Sequence, residues 1–157
     1  MALYRHFKSM EHLHALMWNE CFRMMFQEQD QACEKSGTPR DKLRCRCRAF
    51  LKFCSDHPNL YWYMISHRPE PEQFEAENLG EQGFGRWVTL YKRGIQMGVF
   101  PKDMDVVRSA LRTVYILLGA GSFIAVRSKG VGGLGHDDLV EEAIEMAMPD
   151  MRVLAHR

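Results

Sequence analysis

A chain of 157 residues, 46% apolar and 26% charged, has the size and composition of one globular domain that buries its own core without disulfide or metal staples. Its formal charge of +1 supplies no cationic field to hold nucleic acid non-specifically. Five cysteines, an odd number without a C-x-x-C pair, read as reduced thiols of a cytoplasmic protein rather than a disulfide framework.

The N-terminus has mixed charge and no apolar h-region, so no signal peptide is expected. Ser9 is suited to cap a helix, with Glu11 in the first turn where the helix dipole favours an acid. Leu13, Leu16, Met17, Cys21, Met24 and Met25 then recur at helical spacing. Ser36-Gly37-Thr38-Pro39 closes this helix and opens another, with Thr38 as cap and Pro39 at the first helical position. From Lys42 to Arg48 basic and apolar residues alternate as in a strand, but the alternation collapses at Phe50-Leu51-Lys52-Phe53. Leu43, Cys47, Phe50 and Cys54 make a helical stripe instead.

His57-Pro58 breaks that helix, a short aromatic-rich helix follows from Leu60 to Ile65, and Arg68-Pro69-Glu70-Pro71 is a loop. Residues 72–98 carry five glycines, so a broken first half is expected; from Arg86 onward Trp87, Leu90, Tyr91 and Ile95 share a helical face that Gly98 closes. After the turn at Pro101-Lys102-Asp103, Asp103 or Asp105 caps a helix reaching about Arg127. Its apolar run, Val114 to Val126, is too short for a bilayer, which needs roughly 20 residues, and reads as a buried interface helix. Gly130 to Gly135 is a loop. Asp138-Leu139-Val140-Glu141 reads as a capping box opening the last helix, which Pro149 ends or kinks. No strand pattern occurs, so the fold class is all-α with about six helices.

No nucleophile–base motif, phosphate-binding glycine loop or paired-carboxylate signature is present, so neither an enzyme nor a cofactor is expected. Seven histidines suggest a metal, but His12 and His14 face different sides of a helix, His57 and His67 flank the short aromatic helix, and His136 sits in a glycine-rich loop. Cys45 and Cys47 project about 200° apart on a helix, so they do not share a metal there, and no metal site is expected. Glu70, Glu72, Glu75, Glu77 and Glu81 read as a solvated acidic face. Eleven methionines suit an adaptable pocket or interface as well as gap-filling in a core.

One stretch is more specific. Leu3-Tyr4-Arg5-His6-Phe7-Lys8-Ser9, followed by Glu11 and Leu13, resembles the end of the helix-turn-helix in TetR/AcrR-family transcriptional regulators. There a Leu-Tyr-x-His-Phe run closes the recognition helix and Ser-Lys-Glu-x-Leu opens the next. Met10 stands where that pattern usually has Lys. His57-Pro58-Asn59-Leu60-Tyr61, and Gly98-Val99-Phe100-Pro101 before an acidic cap, resemble helix junctions of the same family's regulatory domain.

The resemblance implies that residues 1–8 are the remnant of a recognition helix and residues 9–157 a ligand-binding and dimerisation domain. Tyr4, His6 and Lys8 would then lie at the DNA end, where a phenol and an ammonium contact phosphates. DNA is an expected partner only where the rest of the headpiece is present, because a recognition helix needs its supporting helix. A small hydrophobic or aromatic ligand would occupy a pocket drawn from Phe50, Phe53, Trp62, Met64, Trp87, Tyr91 and Tyr115, ordinary core packing being the competing reading of each. The last two helices would pair across a two-fold axis in a homodimer, through Val107, Leu111, Val114, Leu118 and Gly121 on one and Leu139, Ala143 and Ala147 on the other. The implied function is that of a ligand-responsive, TetR-type repressor, against the alternative of a dimeric sensor or interaction module without DNA-binding activity. No membrane association is expected.

Overall fold

The computed structural model describes residues 7–74, 77–126 and 133–149. Six helices account for most of them: α1 (Met10–Ala32), α2 (Pro39–Asp56), α3 (Pro58–Ser66), α4 (Leu79–Gln96), α5 (Val106–Ala125) and α6 (His136–Ala147), with one 3-10 turn at Pro71–Gln73. The all-α expectation holds for the described residues, which contain no extended strand.

Local chemistry sets most of the boundaries. Ser9 Oγ accepts the His12 N–H at 3.1 Å and begins α1. At α2, Thr38 Oγ1 accepts the Asp41 N–H at 3.1 Å and the Asp41 carboxylate accepts the Thr38 N–H at 3.2 Å. Pro39 occupies the first turn, where its missing N–H costs nothing. Asp105, not Asp103, caps α5, its Oδ1 accepting the Arg108 N–H at 3.0 Å. The capping-box reading at Asp138 needs a shift of frame. α6 begins at His136, and Asp138 reaches back from the third helical position to the Gly135 N–H at 2.9 Å. Residues 130–132 of the glycine loop lie outside the described residues.

α4 departs most from expectation, being continuous from Leu79 despite Gly80, Gly83 and Gly85. Its start is held from a distance. The buried Asn19 of α1 accepts the Leu79 N–H at 3.0 Å and donates to the Glu77 carbonyl at 2.6 Å, while Asn78 Oδ1 accepts the Glu81 N–H at 3.2 Å. Two of the glycines mark close approach. A Cβ on Gly80 would overlap the Trp18 indole, and one on Gly83 would lie 3.2 Å from Phe26 Cζ.

α2 is the central element. It packs against α1, α3, α4, α5 and α6 and contributes Leu43, Cys47, Leu51, Phe53 and Cys54, all with no exposed surface. α5 is long and apolar enough to cross a bilayer by length and composition, which the shorter run read from the sequence is not. It packs against α2, α3, α4 and α6 on one side, while Val107, Tyr115, Phe123 and Val126 remain exposed on the other.

Candidate functional site

A chamber of about 510 Å³ opens between α1, α3, α4 and the middle of α5, within the size range of small-molecule sites. α1 supplies its longest wall. Trp18, Phe22, Met25, Phe26 and Gln29 recur at the spacing that keeps side chains on one helical face, and span eleven positions, ~16 Å along the axis. Phe50 of α2, Met64 and Ile65 of α3, Phe84 and Trp87 of α4, and Val114 and Leu118 of α5 complete the apolar lining. Gly80 and Gly83 also line it, so the close approach that keeps α4 near α1 is what shapes the space.

The polar tips of Trp18 and Tyr61 are consumed by the protein. Trp18 Nε1–H donates to the Met64 carbonyl at 2.8 Å. Tyr61 Oη donates to the Leu118 carbonyl at 2.7 Å and shares a 2.9 Å hydrogen bond with Ser122 Oγ; burial raises its phenol above the ordinary value. These rings therefore offer a ligand their apolar faces. Trp18 and Phe22 pack at 4.4 Å between centroids, and Phe50 meets Tyr61 edge-on at 6.2 Å.

The charged residues in the lining are Arg68, Glu81 and Arg86. Arg68 and Glu81 face each other at 3.9 Å, both exposed. Arg86 lies with its Cζ 4.4 Å from the centroid of the Phe26 ring and bonds Asp30 at 2.5 Å. Asp30 also receives Arg46 at 3.0 Å.

The structure separates the seven pocket candidates. Phe50, Met64 and Trp87 line the chamber. Phe53 and Tyr91 are buried elsewhere: Phe53 packs on His57 with centroids 5.0 Å apart, and Tyr91 lies 5.4 Å from Phe100 with its hydroxyl bonded to Thr113. Trp62 and Tyr115 are exposed and outside the lining, each one position beyond a residue that belongs to it and so turned roughly 100° away. Trp18, Phe22 and Phe26 are site residues that the sequence reading misses. Their i, i+4, i+8 spacing is the signal that marks them.

Of the residues expected at a DNA end, Tyr4 and His6 lie outside the described residues. Lys8 precedes α1, its backbone N–H bonded to His12 Nδ1 at 3.3 Å. Of those expected at a dimer interface, Gly121, Ala143 and Ala147 are buried within the single chain. Gly121 is a site of close internal approach, where a Cβ would come within 2.8 Å of Cys54 Sγ and 3.3 Å of the Tyr61 ring. Leu111, Val114 and Leu139 are partly buried. Val107 and Leu118 are exposed and fall with Leu111, Tyr115 and Val126 within about 100° of the α5 circumference. That arc is apolar apart from Arg108 and Ser122, and Leu118 within it also lines the chamber.

Among the described residues no group of three or more His, Cys, Asp or Glu is arranged to hold a metal, and the five cysteines are free thiols. No family model and no curated protein matches the sequence. Among solved structures, the chain is similar to the TetR family transcriptional regulator PfmR from Thermus thermophilus, with a TM-score of 0.68 and 17% identity over 96% of this chain and 81% of that one. It is also similar to a TetR/AcrR-family transcriptional regulator from Thermobifida fusca, with a TM-score of 0.64 and 18% identity over 96% of this chain and 79% of that one. The chain thus has a TetR-like helical fold.

Proposed function

We propose that this chain is the sensing and dimerising part of a TetR-type transcriptional regulator, with residues 9–157 as the regulatory domain and residues 1–8 as the end of a recognition helix. A small hydrophobic molecule enters the chamber, and two copies associate through the apolar arc of α5. The observation that carries this reading is the apolar chamber itself, walled by α1 along most of its length and closed by α5. α1 leads directly from the segment expected at the DNA end, and α5 carries the proposed contact with the second copy. A ligand that fits one arrangement of these helices better shifts the population toward it. Two DNA half-sites demand one fixed headpiece spacing, so such a shift weakens DNA binding. Regulators of this kind work in the cytoplasm, in keeping with free thiols.

Titration with Nile red, a neutral apolar dye, tests the chamber. The expected result is saturable binding of one dye per chain, lost in Val114→Trp, which fills the space from the α5 wall. No saturable binding, or equal binding by the variant with its helical signal intact, overturns the assignment. Light scattering tests the association. A dimer is expected for the wild type and a monomer for Tyr115→Glu, which places a charge on a side chain 67% exposed in the single chain. A monomeric wild type at micromolar concentration refutes the interface.

A further inference from the structure

Resting on the reading of the chamber as a ligand site, we propose that its ligand is an amphiphilic acid whose carboxylate binds at Arg86 and Gln29 while its apolar body lies along Trp18, Phe22 and Phe26. Two of the polar residues of the lining, Gln29 and Arg86, stand at one end of it. Gln29 is 2% exposed and belongs to the lining. It stands one helical turn from Phe26, the ring over which the Arg86 guanidinium lies. Arg86 Nε is buried without a partner, and so is Arg46 Nε. Leaving such donors unmade is costly.

The local charge is also unbalanced. Arg46 and Arg86 share the single carboxylate of Asp30, through the same Oδ1 at 3.0 and 2.5 Å. Burial, and then the neighbouring Arg86 guanidinium, pull Arg46 below the usual arginine range. A second carboxylate at this end would balance the excess cation and supply acceptors for a planar guanidinium. At the other end Arg68 already faces Glu81 at 3.9 Å, so no equivalent excess exists there. A cationic ligand head would meet two arginines; a neutral one would leave the imbalance standing.

The test is calorimetric titration of decanoate, 1-decanol and decylamine into the wild-type chain, Arg86→Gln and Asp30→Asn, with the Nile red titration in parallel. Decanoate is expected to bind wild type about tenfold or more tighter than decanol, with decylamine weakest, a charge-assisted hydrogen bond being strong enough for that ratio. In Arg86→Gln the advantage of the acid shrinks to a few-fold at most while decanol binding stays level. In Asp30→Asn, which removes the competing carboxylate, decanoate binds tighter. Equal binding of acid and alcohol by wild type, a preference for the amine, or an undiminished preference in Arg86→Gln overturns the proposal. If Nile red binds and none of the three does, the acid assignment falls and the chamber stands. If Nile red also fails, both fall.

A separate observation carries a second site. We infer that Cys33 and Cys45 form an intramolecular disulfide when a peroxide oxidises the protein. Their Sγ atoms are 2.7 Å apart, Cys33 capping the end of α1 and Cys45 lying one turn and a half into α2. The half-buried Cys45 thiol is the one a peroxide reaches, giving a sulfenic acid and one water. Cys33 sulfur then attacks the Cys45 sulfur, its proton leaving with the hydroxyl as a second water, so two thiols and one peroxide become one disulfide and two waters. Burial pushes the Cys33 thiol up to about 12, which makes the second step slow.

The experiment is exposure to hydrogen peroxide, alkylation of remaining thiols and trypsin digestion, which separates the two cysteines by cutting after Lys35 and Arg44. A Cys33–Cys45 linked peptide pair is expected, abolished in Cys45→Ser and replaced in Cys33→Ser by a dimedone-reactive sulfenic acid at Cys45. Over-oxidation of Cys45 with Cys33 still alkylatable, or a link through Cys47 instead, overturns it.

Discussion

Replacing Thr113 by Val tests whether one buried hydroxyl ties three helices together. Thr113 of α5 has no exposed surface, and its Oγ1 lies 2.8 Å from the Tyr91 hydroxyl of α4 and 3.0 Å from the Ala147 carbonyl at the end of α6. A carbonyl only accepts, so the threonine proton goes to Ala147 and the tyrosine proton must go to Thr113. Valine has nearly the same shape, so no cavity opens. What remains is a phenol without an acceptor and a last-turn carbonyl without a donor, each costing about 1–3 kcal/mol when buried. Thr113→Val should therefore destabilise by roughly 2–4 kcal/mol, whereas Tyr91→Phe, which leaves the bond to Ala147 intact, should cost about 1 kcal/mol. The double variant orphans only Ala147, so its cost should fall short of the sum by about 2 kcal/mol or more. Urea unfolding followed by circular dichroism at one fixed protein concentration measures all three. A Thr113→Val cost below about 0.5 kcal/mol, or strict additivity, would refute the shared hydroxyl.

Three further outcomes are expected. Burial pushes the Cys33, Cys47 and Cys54 thiols and the Tyr91 phenol each up to about 12. Unfolded thiols ionise near 8.5 and phenols near 10, so above those values the unfolded chain has released protons that the folded chain keeps. Stability should be full below about pH 8.5 and decline as pH rises toward 12; unfolding midpoints that stay level from pH 8 to 11 would contradict it. Gly121→Val should lower stability by about 1–3 kcal/mol through overlap with Cys54, without changing the association state seen by light scattering. Glu141→Gln and Glu145→Gln break exposed pairs with Arg48 and Arg44, and each should change stability by less than about 1 kcal/mol.

Features that depend on neighbours in sequence are legible in it. Thr38-Pro39 and Asp105 are local devices, and the structure uses both at helix starts. Features that depend on what lies across a gap are not. Gly80 and Gly83 read as breaks because glycine weakens an isolated helix, and only the Trp18 and Phe26 rings opposite them explain their presence inside one. The same limit divides the aromatic candidates. Trp87 and Tyr91 share a face of α4 one turn apart, yet the first reaches the chamber and the second is captured by Thr113 of α5. In sequence, the small residues of the last two helices read as room for a second copy. Gly121 gives room to α2 and α3 within the chain, as the overlap of its Cβ with Cys54 and Tyr61 makes plain.

α5 joins the chamber to the outer apolar arc. Val114 and Leu118 are one turn apart and line the chamber, while Val107 and Tyr115, at 52% and 67% exposure, face outward from the same rigid element. An occupant that presses on Val114 therefore moves Tyr115 as well, since a packed helix shifts as a body rather than residue by residue. On the proposed reading, the energy available for that shift is the ligand's preference between the two arrangements, and a hundredfold preference amounts to about 2.8 kcal/mol. This is the size of the Thr113 tether worked out above, which holds α5 to α4 and to the end of α6. A ligand with a preference of that size can thus bias α5 against its tether without breaking the fold. It must touch both α1 and α5 to do so, because an occupant resting on α1 alone has no differential contact with the helix that carries the proposed interface.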